Sequence, residues 1–376
     1  MKTLTVFGTR PEAIKLAPVL TELHKFSEIE SRVCVTAQHR EMLDQVLKIF
    51  EIIPDYDLNL MRPNQSLSQI TSDALVSLES VIRRERPDVV ITQGDTTTTF
   101  VASLSAYYAQ IPVARVEAGL RTHNKYSPFP EEINRVLADH IADVHFAPTA
   151  RARENLLREG IPSGKIFVTG NTVIDALQQI WARVKDRDLR DQLPIPKEIF
   201  SQIERREKKL LLVTGHRRES FGPEFESICL GLKKIAQSSP DVVLIYPVHL
   251  NPNVRAPVQK ILKDQERIFL IEPLDYERFV WLMGRAFLIL TDSGGIQEEA
   301  PALGVPVLVM RKVTERPEAI EAGTAKLVGT DAENIFREAA RLLEDRDAYE
   351  QMARAANPFG DGHAAERIVK ILRERF

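Results

Sequence analysis

The sequence predicts an α/β protein built from two doubly wound, Rossmann-like domains that face each other across a cleft. Three observations carry this prediction: short β-branched apolar runs alternate with amphipathic stretches, the alternation comes as two series, and a charged, proline-bearing stretch separates them. A chain of 376 residues exceeds one ordinary hydrophobic core, and 44% hydrophobic residues suffice for two.

The first series is "LTVFG" at 4–8, "RVCVTA" at 32–37, "DVVITQGD" at 88–95, "IPVARVEAG" at 111–119 and "VHFAPT" at 144–149. Apolar strands without polar alternation are buried on both faces, as in a parallel sheet covered by helices. From Trp181 to Lys209 the sequence is charged, carries Pro194 and Pro196 and offers no strand, which predicts a junction between domains. The second series is "LLLVTG" at 210–215, "VVLIYPV" at 242–248, "RIFLIEP" at 267–273, "AFLILTDSGG" at 286–295 and "VPVLVM" at 305–310. The expected domains are 1–175 and 176–361, with the tail treated below.

Bulk properties exclude several classes. The 50 Lys and Arg against 53 Asp and Glu give a formal charge of -3 without a block of either sign, so neither a nucleic-acid nor a lipid surface is expected. Cys34 and Cys229 sit in apolar stretches and read as buried thiols. The opening "MKTLTVFGTRPEAIK" breaks its apolar run at Arg10, too early for a signal peptide, and no run approaches the roughly 18 apolar residues of a membrane span. A soluble cytoplasmic protein is expected.

In open parallel sheets ligands bind beyond the carboxyl ends of the strands. The segments there are "GTRPEAIK", "QGDTTTT", "VEAGLRTH", "TGHRRESFG" and "TDSGGIQEE". Turns and caps account for Gly8, Thr96 and Asp292, but not for Arg10, Asp95, Glu117 and His216. In "TDSGGIQEE", Asp292 or Ser293 is expected to cap a helix, while Gly294 and Gly295 leave its first N–H groups open to an anion such as phosphate. Glu298 and Glu299 lie about 100° apart on that helix, so at most one faces a ligand, placed to accept ribose hydroxyls. Arg10 and Lys15 oppose the dipole of a helix starting near Pro11, which a bound anion would explain, and Arg316 repeats the device in "RKVTERPEA".

Asp95, Glu117 and Glu131 can gather at one sheet edge, where neighbouring carboxylates raise one another's pKa and yield an acid and a base. His216 and Arg217 form a basic pair suited to a diphosphate. No G-x-G-x-x-G occurs, "GIPSGKI" falls short of a P-loop, and no residue cluster has metal-ligand spacing.

With these residues in view, the chain closely resembles the non-hydrolysing UDP-N-acetylglucosamine 2-epimerases. "FGTRPEAIKLAPV", "TAQHREMLDQVL", "QGDTTTT", "VEAGLRT", "PFPEEINR", "TGHRRESFG", "LTDSGGIQEEAP" and "RKVTERPEA" match in type and order over essentially the whole length. The resemblance implies the glycosyltransferase B-type fold, in which the last helix, near Ala364 to Arg375, returns to the first domain, making that domain 1–175 plus 362–376. It implies interconversion of UDP-GlcNAc and UDP-ManNAc by elimination of UDP to 2-acetamidoglucal and re-addition, with no cofactor and no metal, in a homodimer.

By matching motif, Asp95, Glu117 and Glu131 would move the C2 proton, with His216 beside them in the catalytic set. Arg10, Lys15, His216, Ser293, Gly294, Gly295 and Arg316 would hold the diphosphate, Glu299 the ribose, and Phe279 would lie near the uracil. Bacterial members also bind a second UDP-GlcNAc as activator. Gln38, Glu131, Arg217 and His249 match that site, whereas Glu41 and Asn64 stand where well-known members carry Gln and Arg. A hydrolysing epimerase, a glycosyltransferase of the same fold and a nucleotide-sugar sensor are the rival readings.

Overall fold

The computed structural model describes residues 1–37, 40–60, 62 and 65–376, and it divides into two compact units: Met1–Gln179 with Phe359–Phe376, and Ile180–Pro358. The divisions fall a few residues from the expected 175 and 362.

The first unit holds a seven-stranded sheet: β1 (Lys2–Phe7), β2 (Glu30–Val35), β3 (Tyr56–Asp57), β4 (Val89–Gln93), β5 (Val113–Val116), β6 (Val144–Ala147) and β7 (Ile166–Val168). All its strands are parallel, in the order β3-β2-β1-β4-β5-β6-β7. The second unit holds β8 (Lys209–Thr214), β9 (Val242–Pro247), β10 (Ile268–Ile271), β11 (Leu288–Thr291), β12 (Val307–Val309) and β13 (Ala325–Leu327), parallel in the order β10-β9-β8-β11-β12-β13. Both are doubly wound α/β units, as the apolar runs predict. Their strand order reverses between β1 and β4 and between β8 and β11, and such reversals open a crevice at the carboxyl edge of a sheet.

Each sheet is buried by its helices. Leu4, Val6, Cys34 and Val90 pack with Leu78, Ile82 and Val101 in one unit, and Leu211, Val213, Leu244 and Leu290 with Phe225, Leu232 and Ile335 in the other. Burying a Val or Leu side chain fully contributes roughly 1.5–3 kcal/mol. Cys34 and Cys229 are free and buried in these cores, and burial pushes both thiols up to about 12. No helix among the described residues is long and apolar enough to cross a membrane.

The stretch from Trp181 to Lys209 begins at the division between the units and carries helices. The helix Thr172–Val184 runs into it, Lys197–Glu204 forms another helix, and Leu189, Leu193, Ile195 and Phe200 are buried. Phe200 meets Trp281 edge-on at 5.3 Å between ring centres, and the Trp281 indole donates to the Arg187 carbonyl at 2.9 Å. Apolar residues spaced among charges let this segment coat the second unit while reading as a linker.

The last helix, Ala364–Arg375, belongs to the first unit and packs on the helix Arg10–Leu23. Asp175, from the helix Thr172–Val184, anchors its start by accepting the Ala365 N–H at 2.8 Å. The other carboxyl oxygen of Asp175 is buried without a hydrogen-bond partner among the described residues, and burial raises this group to about 6, against the backbone hydrogen bonds that lower it.

A carboxyl raised from its unfolded value of 3.8 to about 6 contributes stability that is full below pH 3.8 and is lost as pH rises through 6. Asp175→Asn keeps the acceptor without the charge, so its stability relative to the parent should rise by about 2 kcal/mol between pH 4 and pH 7. Urea denaturation at the two pH values checks this; a constant difference would show that folding leaves the Asp175 carboxyl unshifted.

Candidate functional site

The expected residues in the first unit lie where its strand order reverses. β1 runs through Gly8 and Thr9 into the helix Arg10–Leu23, which starts at Arg10 rather than Pro11. Lys15, one turn in, forms an ion pair with Glu117. Its charge therefore has a protein partner, while the Arg10 side chain makes no hydrogen bond or ion pair among the described residues.

Glu117 follows β5 in a left-handed backbone conformation, φ 60°, which is uncommon for a residue with a side chain. Besides Lys15, its carboxylate accepts from the Gln93 side-chain amide at the end of β4 and from Asn171 Nδ2 at 2.9 Å. Asp95, two residues past β4, accepts from Arg135 Nη2 at 2.8 Å, and its carbonyl accepts from Asn134 at 3.0 Å. Glu131 opens the helix Glu131–Ile141, and its Oε2 has no hydrogen-bond partner among the described residues. Asp95 and Glu117 are each faced by a cation, Arg135 and Lys15 respectively, supplied by helices of the same unit.

Two supports were not expected from sequence. Glu12 is buried and accepts the Gly8 and Thr9 N–H groups, both at 2.8 Å, and the hydroxyls of Thr9, Thr96 and Thr99. It clamps the loop after β1 to the loop after β4, and burial raises its carboxyl despite these donors. Thr96 caps the helix Thr97–Tyr108 as expected, accepting the Thr99 N–H at 3.3 Å, and its hydroxyl also serves the Glu12 carboxylate. The pattern Thr-x-x-Glu at 9–12 is a capping box and was the available signal.

The second support is Asp139, fully buried between Arg115 Nε at 3.1 Å and Arg121 Nη1 at 2.8 Å, and accepting the Gly119 N–H at 3.0 Å. Arg115 donates onward to the Gly94 carbonyl at 2.7 Å, so one carboxylate steadies the turns that carry Asp95 and Glu117. Burial pushes Asp139 up, and the two arginines outweigh it, leaving the carboxyl below its ordinary range.

In the second unit, Asp292 does not cap the helix after β11. It accepts the His216 N–H at 2.6 Å and the Arg217 N–H at 2.8 Å, fastening the loop after β8 to the end of β11. Ser293 takes the N-cap position of the helix Gly294–Glu299 without a side-chain capping bond. A β-carbon on Gly294 would lie 3.8 Å from Arg217 Nη2 and 3.8 Å from Arg316 Cζ, so two guanidinium groups converge over this helix start. Burial tends to raise the nearby Glu315, yet Arg217, Arg311 and Arg316 hold it below its ordinary value. Arg217 Nε is buried with no hydrogen-bond partner among the described residues, while Arg316 pairs with Glu298 and Arg311 with Glu219 and Glu315.

The adjacent glutamates divide their work. Glu298 pairs with Arg316 instead of merely complementing the helix dipole, and Glu299 accepts from the Tyr276 hydroxyl. Tyr276 and the half-buried Phe279 lie on the helix Tyr276–Met283.

His216 stacks on His249, 5.3 Å between ring centres and 17° between planes. Burial, with contributions from His249 and Arg217, holds the His216 imidazole below its ordinary value although Asp292 pulls it up. Burial thus favours the neutral imidazole, with Arg217 the permanently charged member of the expected pair. Gln38 and Asn64 lie outside the described residues, as does the side chain of Glu41.

The profile of one protein family, described as UDP-N-acetylglucosamine 2-epimerase, matches residues 21–373. The chain belongs to the UDP-N-acetylglucosamine 2-epimerase family. The Salmonella typhimurium protein of that name is 58% identical over 375 residues, covering 99% of this chain and 98% of that one. A Neisseria meningitidis UDP-GlcNAc 2-epimerase solved with bound UDP-GlcNAc is 51% identical, with a TM-score of 0.90 and complete coverage of both chains. A Methanocaldococcus jannaschii UDP-GlcNAc 2-epimerase in complex with UDP-GlcNAc and UDP is 36% identical, with a TM-score of 0.80 over both whole chains. The chain is thus an epimerase with the glycosyltransferase B-type fold expected of that family.

Proposed function

We propose that this epimerase interconverts UDP-GlcNAc and UDP-ManNAc by eliminating UDP and adding it back. A carboxylate removes the proton from C2, the C1–O bond breaks with its electron pair leaving on UDP, and 2-acetamidoglucal forms. UDP then re-adds at C1 as a proton returns to the other face of C2. Bond order, charge and protons balance without a redox partner, so neither a cofactor nor a metal enters the scheme.

The observation that carries this reading is the convergence of Arg217 and Arg316 over Gly294 at a helix start. Two guanidiniums and uncovered N–H groups suit a diphosphate that must depart as an anion and stay bound. Ser293, Gly294 and Gly295 serve the same group, with Glu299 at the ribose and Phe279 near the uracil. In the first unit, Arg10 and Lys15 add positive charge, and Asp95, Glu117 and Glu131 supply the acid and the base. His216 can donate to or accept from a reacting oxygen. The relatives solved with UDP-GlcNAc or UDP support the ligand class.

We further propose a cytoplasmic homodimer, supported by exposed apolar side chains on adjoining helices, Tyr107 and Tyr108 on one and Ile133 and Leu137 on the next. A second UDP-GlcNAc acts as activator, with His249 and Glu131 among its contacts. Arg217, matched to that role by sequence, is assigned to the diphosphate because it lies over Gly294.

Proton NMR in deuterated water tests the reaction. UDP-GlcNAc should give UDP-ManNAc carrying deuterium at C2, with no free sugar; release of ManNAc and UDP would make the protein hydrolysing, and no exchange would refute elimination. UDP-ManNAc supplied alone should react slowly until a trace of UDP-GlcNAc is added, whereas equal rates would remove the activator.

A further inference from the structure

Asn171 is fully buried and stands just before the helix Thr172–Val184, far in sequence from every strand-end motif of the site. Its Oδ1 accepts the Val173 N–H at 3.1 Å, which caps that helix. Its Nδ2 donates to Glu117 Oε1 at 2.9 Å, and its own N–H donates to the Phe359 carbonyl at 2.6 Å. One residue therefore touches the carboxylate expected to transfer the proton, the helix through which the chain leaves the first unit, and the residue at which the chain re-enters it.

The backbone around Asn171 leaves little room for drift. A β-carbon on Gly170 would come within 3.3 Å of Gly360 Cα, and one on Gly360 within 3.4 Å of Gly170 Cα, so the two passages pack main chain on main chain. Both residues have positive φ, 91° and 133°, which only glycine adopts readily. On the far side, Lys15 and Gln93 approach Glu117 from the helix after β1 and from the end of β4. Lys15 brings charge and Gln93 directs the other oxygen; Asn171 is the donor that comes from the chain passages.

We propose that Asn171 is a positioning residue for Glu117, fixing the direction of its carboxylate and tying that direction to the two segments by which the chain leaves and re-enters the first unit. This rests on Glu117 taking part in the C2 proton transfer. A carboxylate turned away from C2 still permits UDP-sugar binding but not proton removal, so the loss falls on kcat rather than KM.

Asn171→Asp tests the proposal, because Asp keeps the helix cap and replaces the Nδ2 donor by an oxygen facing Glu117. We expect kcat for C2 epimerisation to fall about 100-fold with KM within about 3-fold, and the acid limb of the kcat–pH profile to move upward, since a second carboxylate disfavours ionised Glu117. Asn171→Ser also caps the helix but cannot reach Glu117. It should cost kcat about 10-fold with an unchanged pH profile, and it carries the test if the Asp variant does not fold. Near-normal kcat in a folded variant would overturn the proposal, as would losses that track melting temperature with no shift of the pH limb in Asn171→Asp. Glu117→Gln separates the two claims: if it abolishes deuterium exchange while Asn171→Asp is normal, only the positioning role fails. Exchange at the parent rate in Glu117→Gln would instead remove the proton-transfer role on which the positioning rests.

Discussion

Asp139→Asn should destabilise the protein by about 3–5 kcal/mol, because it leaves Arg115 and Arg121 buried beside a group that no longer carries charge. Both arginine side chains are essentially inaccessible, and Arg115 Nη1 has no hydrogen-bond partner among the described residues. An Asn side chain offers one acceptor where Arg115, Arg121 and the Gly119 N–H now converge on two oxygens, so its amide would face a donor. Glu159 compensates only Arg121, gripping it at 2.7 and 2.6 Å. A loss of this size lowers the melting temperature by roughly 10 °C, measurable by calorimetry. A shift within experimental error would mean that the arginines find other partners on relaxation.

Asp95→Asn should have the opposite profile, with a nearly intact fold and C2 exchange reduced about 10²–10⁴-fold. The Asp95 carbonyl is held by Asn134, and an Asn side chain can still accept from Arg135, so the loop after β4 keeps its bonds. What disappears is the charge and the ability to take a proton. UDP affinity by titration calorimetry should stay within about 2-fold, since Asp95 is not among the residues assigned to UDP. Normal epimerisation in this variant would remove Asp95 from the catalytic set.

Most strands and the type of their connections were legible from sequence because buried parallel strands are unbroken apolar runs. The runs missed were β3, β7 and β13, edge strands of two or three residues, too short to show a pattern. The strand-end residues were legible for a related reason: Arg10, Asp95, Glu117 and His216 are costly choices where a turn needs only glycine or a cap. Asp139 was hidden because it occupies one position of an amphipathic helix face and its partners come from β5 and the loop beyond it. Asn171 reads as an ordinary N-cap, and nothing local says that its amide meets Glu117. Sequence separation conceals such contacts, and the partner of Lys15 was missed for the same reason.

The chain's route through its two units sets an order of manufacture. All seven strands of the first sheet precede Ile180, yet the helix Ala364–Arg375 that packs on Arg10–Leu23 comes only after the whole second unit. At roughly 5–20 residues per second, the ribosome delivers this last piece some ten to forty seconds after the sheet it closes. During that interval the apolar side of the Arg10–Leu23 helix lacks its native cover, while the second unit can mature without interruption. A stop codon just before Ala364 therefore injures the part of the protein that was made first.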